Sequence, residues 1–379
     1  MSAKKKKSNG LSGRFAVFIT ILLFVCTVIF LNNQFSSGSL RRISYWIFNG
    51  VRGDATDASI VFDSNEYNRF TVLNGNLCII SPELISSKTL SGKTSLSEPV
   101  LLRSPAVTKS DSRFVAYDLG GLNFYIANSK KLLHSGTAEN KILNAGIGKS
   151  GHLALVTEDT DSKALLTVYS PSFEPVYKFH SSGKYVFDAS LSPNGKTVAV
   201  ITYGTSNGIF ESSLSLAKLN SDGFYSTASL GGSMPLKVCF RSDNRILVIC
   251  NDKTVVFDND GELKAEIPYN ELPVKAFSET SEKYVSIILD NYQNGGNTRL
   301  LLIDNNGNNV SLDFDEDVYS LSSKGNYTAV QFSDKCVVFE DDLSVHCEFA
   351  IPTSITQCIM NNDGSVLSIG DNFATLYVQ

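Results

Sequence analysis

Tryptophan occurs once in this sequence, methionine 3 times and histidine 4 times. A single Trp46 leaves no repeated tryptophan docking motif. The histidines His134, His152, His180 and His346 are too scattered for metal-ligand spacing, and each sits beside a predicted turn or outer strand, the usual place of a solvated surface histidine. Cys-x-x-Cys is absent, and so is the Gly-x-Ser-x-Gly elbow of a serine nucleophile. The pairs Gly120-Gly121 and Gly231-Gly232 open no helix that could cradle phosphate, and the second reads as a junction between structural units. Past Ser59 no convincing helical period appears, which excludes a helix bundle.

Long apolar runs are also lacking, with one exception: FAVFITILLFVCTVIFL, residues 15–31. At 1.5 Å per residue it covers roughly 25 Å, so its flanks, about 11–33, complete a bilayer span. Cys26 is an apolar filler within it. Lys4, Lys5, Lys6, Lys7 and Arg14 precede the span, whereas only Arg41 and Arg42 follow it closely. This asymmetry predicts a cytoplasmic tail (1–14) and a body outside the cell membrane. A cleaved secretory signal is the competing reading; against it stand the length of the run and the lack of a small-x-small cleavage site. Residues 32–58 read as a stalk, in which the segment Ile43 to Phe48 with Trp46 is either an interfacial aromatic anchor or, in preference, part of a first short strand at Ser44 to Asn49.

The first 42 residues contain seven bases and no acid, so the chain's net charge of −5 leaves the remainder at about −12. Such a body repels phosphate backbones and anionic headgroups, which argues against nucleic-acid binding.

What is abundant is a pattern: a small or apolar strand, a polar turn, then a strongly apolar strand. It is seen in Ala189-Ser-Leu-Ser-Pro-Asn-Gly-Lys-Thr-Val-Ala-Val-Ile201, and again from Val238 to Cys250, Ala276 to Ile288 and Tyr319 to Gln331. Its turns fall at Ser112, Gly151, Gly195, Asn244, Glu282, Gly325 and Gly364, with a weaker copy around Tyr67. The spacing of about 43 residues is a propeller period, and a second hairpin in each unit makes four strands. Middle strands such as Arg245-Ile-Leu-Val-Ile-Cys250 are apolar throughout, as strands covered on both faces should be. Small residues such as Ala145-Gly146 suit a crowded axis. The expected fold is an all-β propeller over 59–379, of eight four-stranded blades in preference to seven; an open solenoid of hairpins is the other arrangement. The last unit ends one strand short, at Ala374 to Val378, and Ser44 to Asn49 is the expected closing strand.

Six cysteines lie in the body: Cys78, Cys239, Cys250, Cys336, Cys347 and Cys358. Disulfides Cys239–Cys250 and Cys336–Cys347 are conceivable on adjacent strands, but each cysteine falls in an apolar strand, where a buried thiol is the simpler reading. Asp258-Asn-Asp-Gly261 and Asp304-Asn-Asn-Gly307 resemble the start of a calcium loop, yet their residues suit tight turns as they stand. Asp313, Asp315, Glu316 and Asp317 form an acidic run of the kind found in solvated loops. No catalytic, cofactor-binding or metal-ligating residue is assigned, and no cofactor is implied.

A short basic tail, one span and about eight such units resemble a clostridial family of membrane-anchored propellers, domain of unknown function 5711. More broadly the body is similar to WD40-like and quinoprotein-like propellers, without their Gly-His, Trp-Asp or tryptophan docking signatures. The resemblance implies a fold and a location and transfers no active residue. The expected function is a non-catalytic interaction or scaffold module of the bacterial envelope with a protein or envelope partner. The alternatives are a hydrolase or lyase working in the axial funnel and a ligand-sensing ectodomain.

Overall fold

The structure, a computed structural model, describes residues 54–241, 245–291 and 297–379. The expected span, the stalk up to residue 53 and the strand from Ser44 to Asn49 lie outside them. Among the described residues no helix is long and apolar enough to cross a membrane.

Strands form where the sequence alternates apolar runs with turn residues, and they assemble into eight antiparallel sheets of four strands each. Blades 1 to 7 are consecutive meanders: residues 69–99, 105–137, 142–181, 185–231, 235–268, 274–314 and 320–350. In each, the first strand contacts the first strand of a neighbouring blade and lies innermost. Blade 8 takes three strands from residues 357–378 and its fourth from Asp54–Val61, which pairs antiparallel with Phe373–Val378. The closing strand is therefore Asp54–Val61, a place where the sequence suggested the end of a stalk. The reason is physical: an outermost strand needs few apolar residues, so DATDASIV carries little strand signal. The weak first unit is displaced as well. Its turn is Asn74-Gly75, joining Arg69–Leu73 to Asn76–Ile80, and Tyr67 lies in the link before it.

The core is not one mass but a ring of contacts between sheets. Among the described residues eight apolar clusters occur, each joining two adjacent blades. One of them packs Ile359, Leu367 and Leu376 of blade 8 against Leu77 and Ile79 of blade 1, so the ring is closed. The second strand Ile246–Cys250 of blade 5 is buried at every residue because blades 4 and 6 cover its two faces.

The innermost strands present an edge whose N–H groups need acceptors. Side chains of the preceding blade supply them. Ser190 Oγ accepts from Phe240 N at 3.1 Å, Ser278 Oγ from Ser323 N at 3.1 Å, and Ser322 Oγ from Met360 N at 3.0 Å. The small residues at the axis are thus acceptors as well as space savers. Gly146 is there for space alone: a Cβ would lie 2.7 Å from the Ala189 carbonyl oxygen of blade 4.

Candidate interaction face and axial channel

The meander gives the ring two different faces. The first carries the turns after the first and third strands, together with Asp54, where the chain enters the ring. The second carries the turns between second and third strands and the links between blades.

Around the axis, charge is arranged in pairs. Asp188 of blade 4 is 1% exposed; its Oδ2 accepts from Val238 N and Lys237 Nζ of blade 5, both at 3.1 Å, and its Oδ1 from Asn144 Nδ2 of blade 3 at 3.1 Å. Burial opposes the charge on Lys237, but the neighbouring carboxylates of Asp188 and Glu279 outweigh it and raise its pKa. At the first face, turns from four blades meet. Lys149 of blade 3 bonds Glu282 of blade 6 at 2.6 Å and Asp111 of blade 2 at 3.2 Å, and Lys324 of blade 7 stands 3.9 Å from Asp111. Below them Lys109 donates to the Val72 carbonyl at 3.0 Å; burial and the positive charge of Lys324 lower its pKa to about 8. Ion pairs of Lys149 and Lys324 with Asp111 and Glu282 thus bridge four blades on the first face.

The second face is different. Most of the exposed large apolar side chains of the described residues lie there, among them Leu101 (64%), Ile209 (72%) and Tyr319 (63%). The others, such as Leu263 and Val345, stand at the start of outermost strands on the rim of the first face. On blade 4 the hairpin of Thr197–Ser206 and Ile209–Lys218 rises from the second face and carries a set of rings: Tyr203 stacks on Tyr185 at 5.5 Å and faces Phe210 at 6.2 Å. Lys163 caps Tyr185 from 4.8 Å.

The residues singled out from the sequence scatter over the ring. The six cysteines form no disulfide; five are buried and Cys347 is half-buried. Registers explain this: Cys239 stands opposite Leu247 and Cys250 opposite Pro235, while Cys347 stands opposite Val338 and Cys336 opposite Phe349. Burial raises the thiol of Cys78 to about 11 and those of Cys239 and Cys250 to about 12. Of the histidines only His180 is well exposed, bonding Asp159 at 2.8 Å. His134 stacks on Phe173 at 4.3 Å, His152 bonds Ser150 at 3.0 Å and His346 bonds Glu340 at 3.0 Å, all half-buried. Their packing is closer than the solvated surface expected for them, because outer strands and turns of neighbouring blades touch.

The two Asp-rich segments are turns. Asp258 Oδ1 accepts from the amides of Asp260 and Glu262, and Asp304 Oδ1 from those of Asn306 and Asn308. The acidic run is dispersed among bases: Asp313 takes both arms of Arg299, Glu316 bonds Lys335 at 2.8 Å, and Asp317 lies 3.8 Å from Lys275. Gly231 and Gly232 lead into the link from blade 4 to blade 5. Sequence reasoning missed the charged axis and the leucines of the second face. Only a Leu-Gly-Gly-Leu turn (119–122) hinted at the latter.

Two solved structures share this architecture. The crystal structure of BamB from Moraxella catarrhalis is 12% identical, with a TM-score of 0.55 over 87% of this chain and 98% of that one. The C-terminal WD40 domain of Sif2 is 11% identical, with a TM-score of 0.58 over 87% and 97%. At these identities the likeness is one of fold. No curated protein matches the sequence. A family profile, described as Family of unknown function (DUF5711), matches residues 52–372.

Proposed function

Because the chain belongs to the Family of unknown function (DUF5711), whose description names no activity, we propose a role from the molecule's own surfaces: a non-catalytic interaction module that presents the second face of its propeller to a protein partner. The observation that carries this is the gathering of exposed Leu, Ile and Tyr side chains on one face of a rigid ring. Water-exposed apolar side chains of this size, held by short turns, are what a protein interface buries. The fold shared with BamB and a WD40 domain is compatible with that role.

The basic tail and the apolar run at 15–31 support an anchored protein whose ring stands on the outer side of a bacterial cytoplasmic membrane. The acidic balance of the remainder suits a partner other than nucleic acid. A photo-crosslinking side chain placed at Leu101 in the full-length protein in living cells tests the interaction. A discrete adduct from Leu101, with none from Val310 on the opposite rim, is expected. Equal adducts from both positions, or none from Leu101, refute the proposal. Protease accessibility in spheroplasts tests the topology: the ring should be digested from outside while the tail is protected.

A further inference from the structure

Resting on the reading that the second face binds a protein, we infer that its docking site is the leucine patch of blades 1 and 2, and that it takes a basic, apolar segment of the partner. Leu84 (37% exposed), Leu101 (64%), Leu119 (49%) and Leu122 (39%) come from two turns and the link between them. Hydrogen bonds to backbone carbonyls join those three pieces. Val100 N donates to the Glu83 carbonyl at 2.9 Å, Leu119 N to that of Ser104 at 2.9 Å, and Asn123 Nδ2 to that of Leu101 at 3.1 Å. The amides of Arg103 and Ser104 both donate to Asp118 Oδ1, at 2.8 and 2.7 Å. A side chain at Gly121 would overlap the Asp118 carboxyl, so the glycine lets Asp118 hold the link while Leu119 and Leu122 project on either side. The patch is preorganised: little side-chain or loop entropy remains to be lost when it is covered.

Charge decides what covers it. Asp63, Glu66, Glu83 and Glu139 stand exposed on this side of the ring, and among the described residues none of them takes part in an ion pair. The bases nearby leave an acidic surplus: Arg103 is exposed, Arg69 donates to the carbonyls of Glu66 and Asn68, Lys88 donates to that of Val61 at 2.6 Å, and Lys141 is matched by a fifth acid, Glu158, at 3.9 Å. Leucines inside an acidic surround favour a segment with large apolar side chains flanked by Lys or Arg, and repel an anionic lipid surface.

The test uses the full chain in nanodiscs of zwitterionic lipid, with empty discs as the blank. The probes are a labelled Leu/Lys amphipathic peptide and a Leu/Glu peptide of the same apolar content. The Leu/Lys peptide should bind at least about tenfold more tightly at low ionic strength, and raising salt to about 0.5 M should remove most of that preference. The doubly substituted Leu101→Ser, Leu122→Ser protein should lose binding about tenfold with an unchanged melting temperature, since both side chains are exposed. Glu83→Lys with Glu139→Lys should abolish the preference while the protein still folds. Equal or tighter binding of the Leu/Glu peptide, or undiminished binding to the leucine variant, overturns the inference. So does a Leu101 adduct in cells that maps to an acidic or uncharged partner segment, a result that leaves the interaction role standing; absence of any adduct removes that role itself.

Discussion

Asp188→Ala should be among the most damaging single substitutions at the axis. The carboxylate is 1% exposed and serves three donors on two neighbouring blades: Val238 N, Lys237 Nζ and Asn144 Nδ2. Removing it leaves the Lys237 ammonium without its closest counter-charge and the Val238 amide without an acceptor. Breaking a buried pair from one side costs about 3–5 kcal/mol, and the orphaned amide is part of that loss rather than an addition to it. For a ring of this size about 2 °C of melting temperature accompanies each kcal/mol, so a fall on the order of 8 °C is expected by scanning calorimetry. The sign with pH follows from Lys237. Without Asp188, Glu279 is left as the main carboxylate opposing burial, so the folded pKa of Lys237 falls from its raised position; the loss relative to the parent is full at neutral pH and shrinks as pH rises through that lowered pKa. Adding Lys237→Met to Asp188→Ala should restore at least half of the loss at pH 7. A melting temperature of Asp188→Ala within about 2 °C of the parent, or a double variant less stable than the single one, would falsify this account of the axis.

Gly307→Ala should destabilise by roughly 2 kcal/mol, seen as a lower urea midpoint, because Gly307 has φ +91° and a Cβ would lie 2.5 Å from that of Ala265. Lys109→Met should raise stability at pH 7 by on the order of 1–3 kcal/mol. That gain should shrink between pH 8 and 10.5, where the native lysine, with its pKa lowered to about 8, is already losing its proton in the folded state while the unfolded chain still holds it. A constant gain across that window would contradict burial as the cause. Lys149→Ala should change stability by no more than about 1 kcal/mol, since its pairs with Asp111 and Glu282 are half-exposed, and a larger loss in urea titration would show that the bridge is structural. Alkylation under denaturing conditions without reductant should label Cys78, Cys239, Cys250, Cys336, Cys347 and Cys358 alike; protection of any of them, read by mass spectrometry, would reveal a disulfide.

Blade order and number were legible because each first hairpin joins a turn signal to a strand buried on both faces. Gly195 before Thr197–Ser206 and Gly364 before Val366–Ile369 are of this kind. Outermost strands such as Asp54–Val61 have only one covered face and no such signature, so the closing strand was misplaced. Asn74-Gly75 is a strong hairpin signal that the weaker surroundings of Tyr67 obscured. The contact of Lys149 with Glu282 spans 133 positions, and nothing local in a sequence announces a partner that only ring closure brings near. The leucine patch was hidden for the opposite reason: Leu-Gly-Gly-Leu reads as an ordinary turn until its neighbours show that both leucines face water.

Blade 8 is built from both ends of the folded chain, and this sets the order of events during synthesis. Asp54–Val61 leaves the ribosome first and must wait, as an unpaired edge, until Phe373–Val378 has been made. Every other sheet can form from residues close in sequence, whereas this one forms last and closes the longest loop in the molecule. A nascent chain is therefore an open arc with two unpaired ends, and losing the whole of Phe373–Val378 would leave Asp54–Val61 without the strand it pairs with.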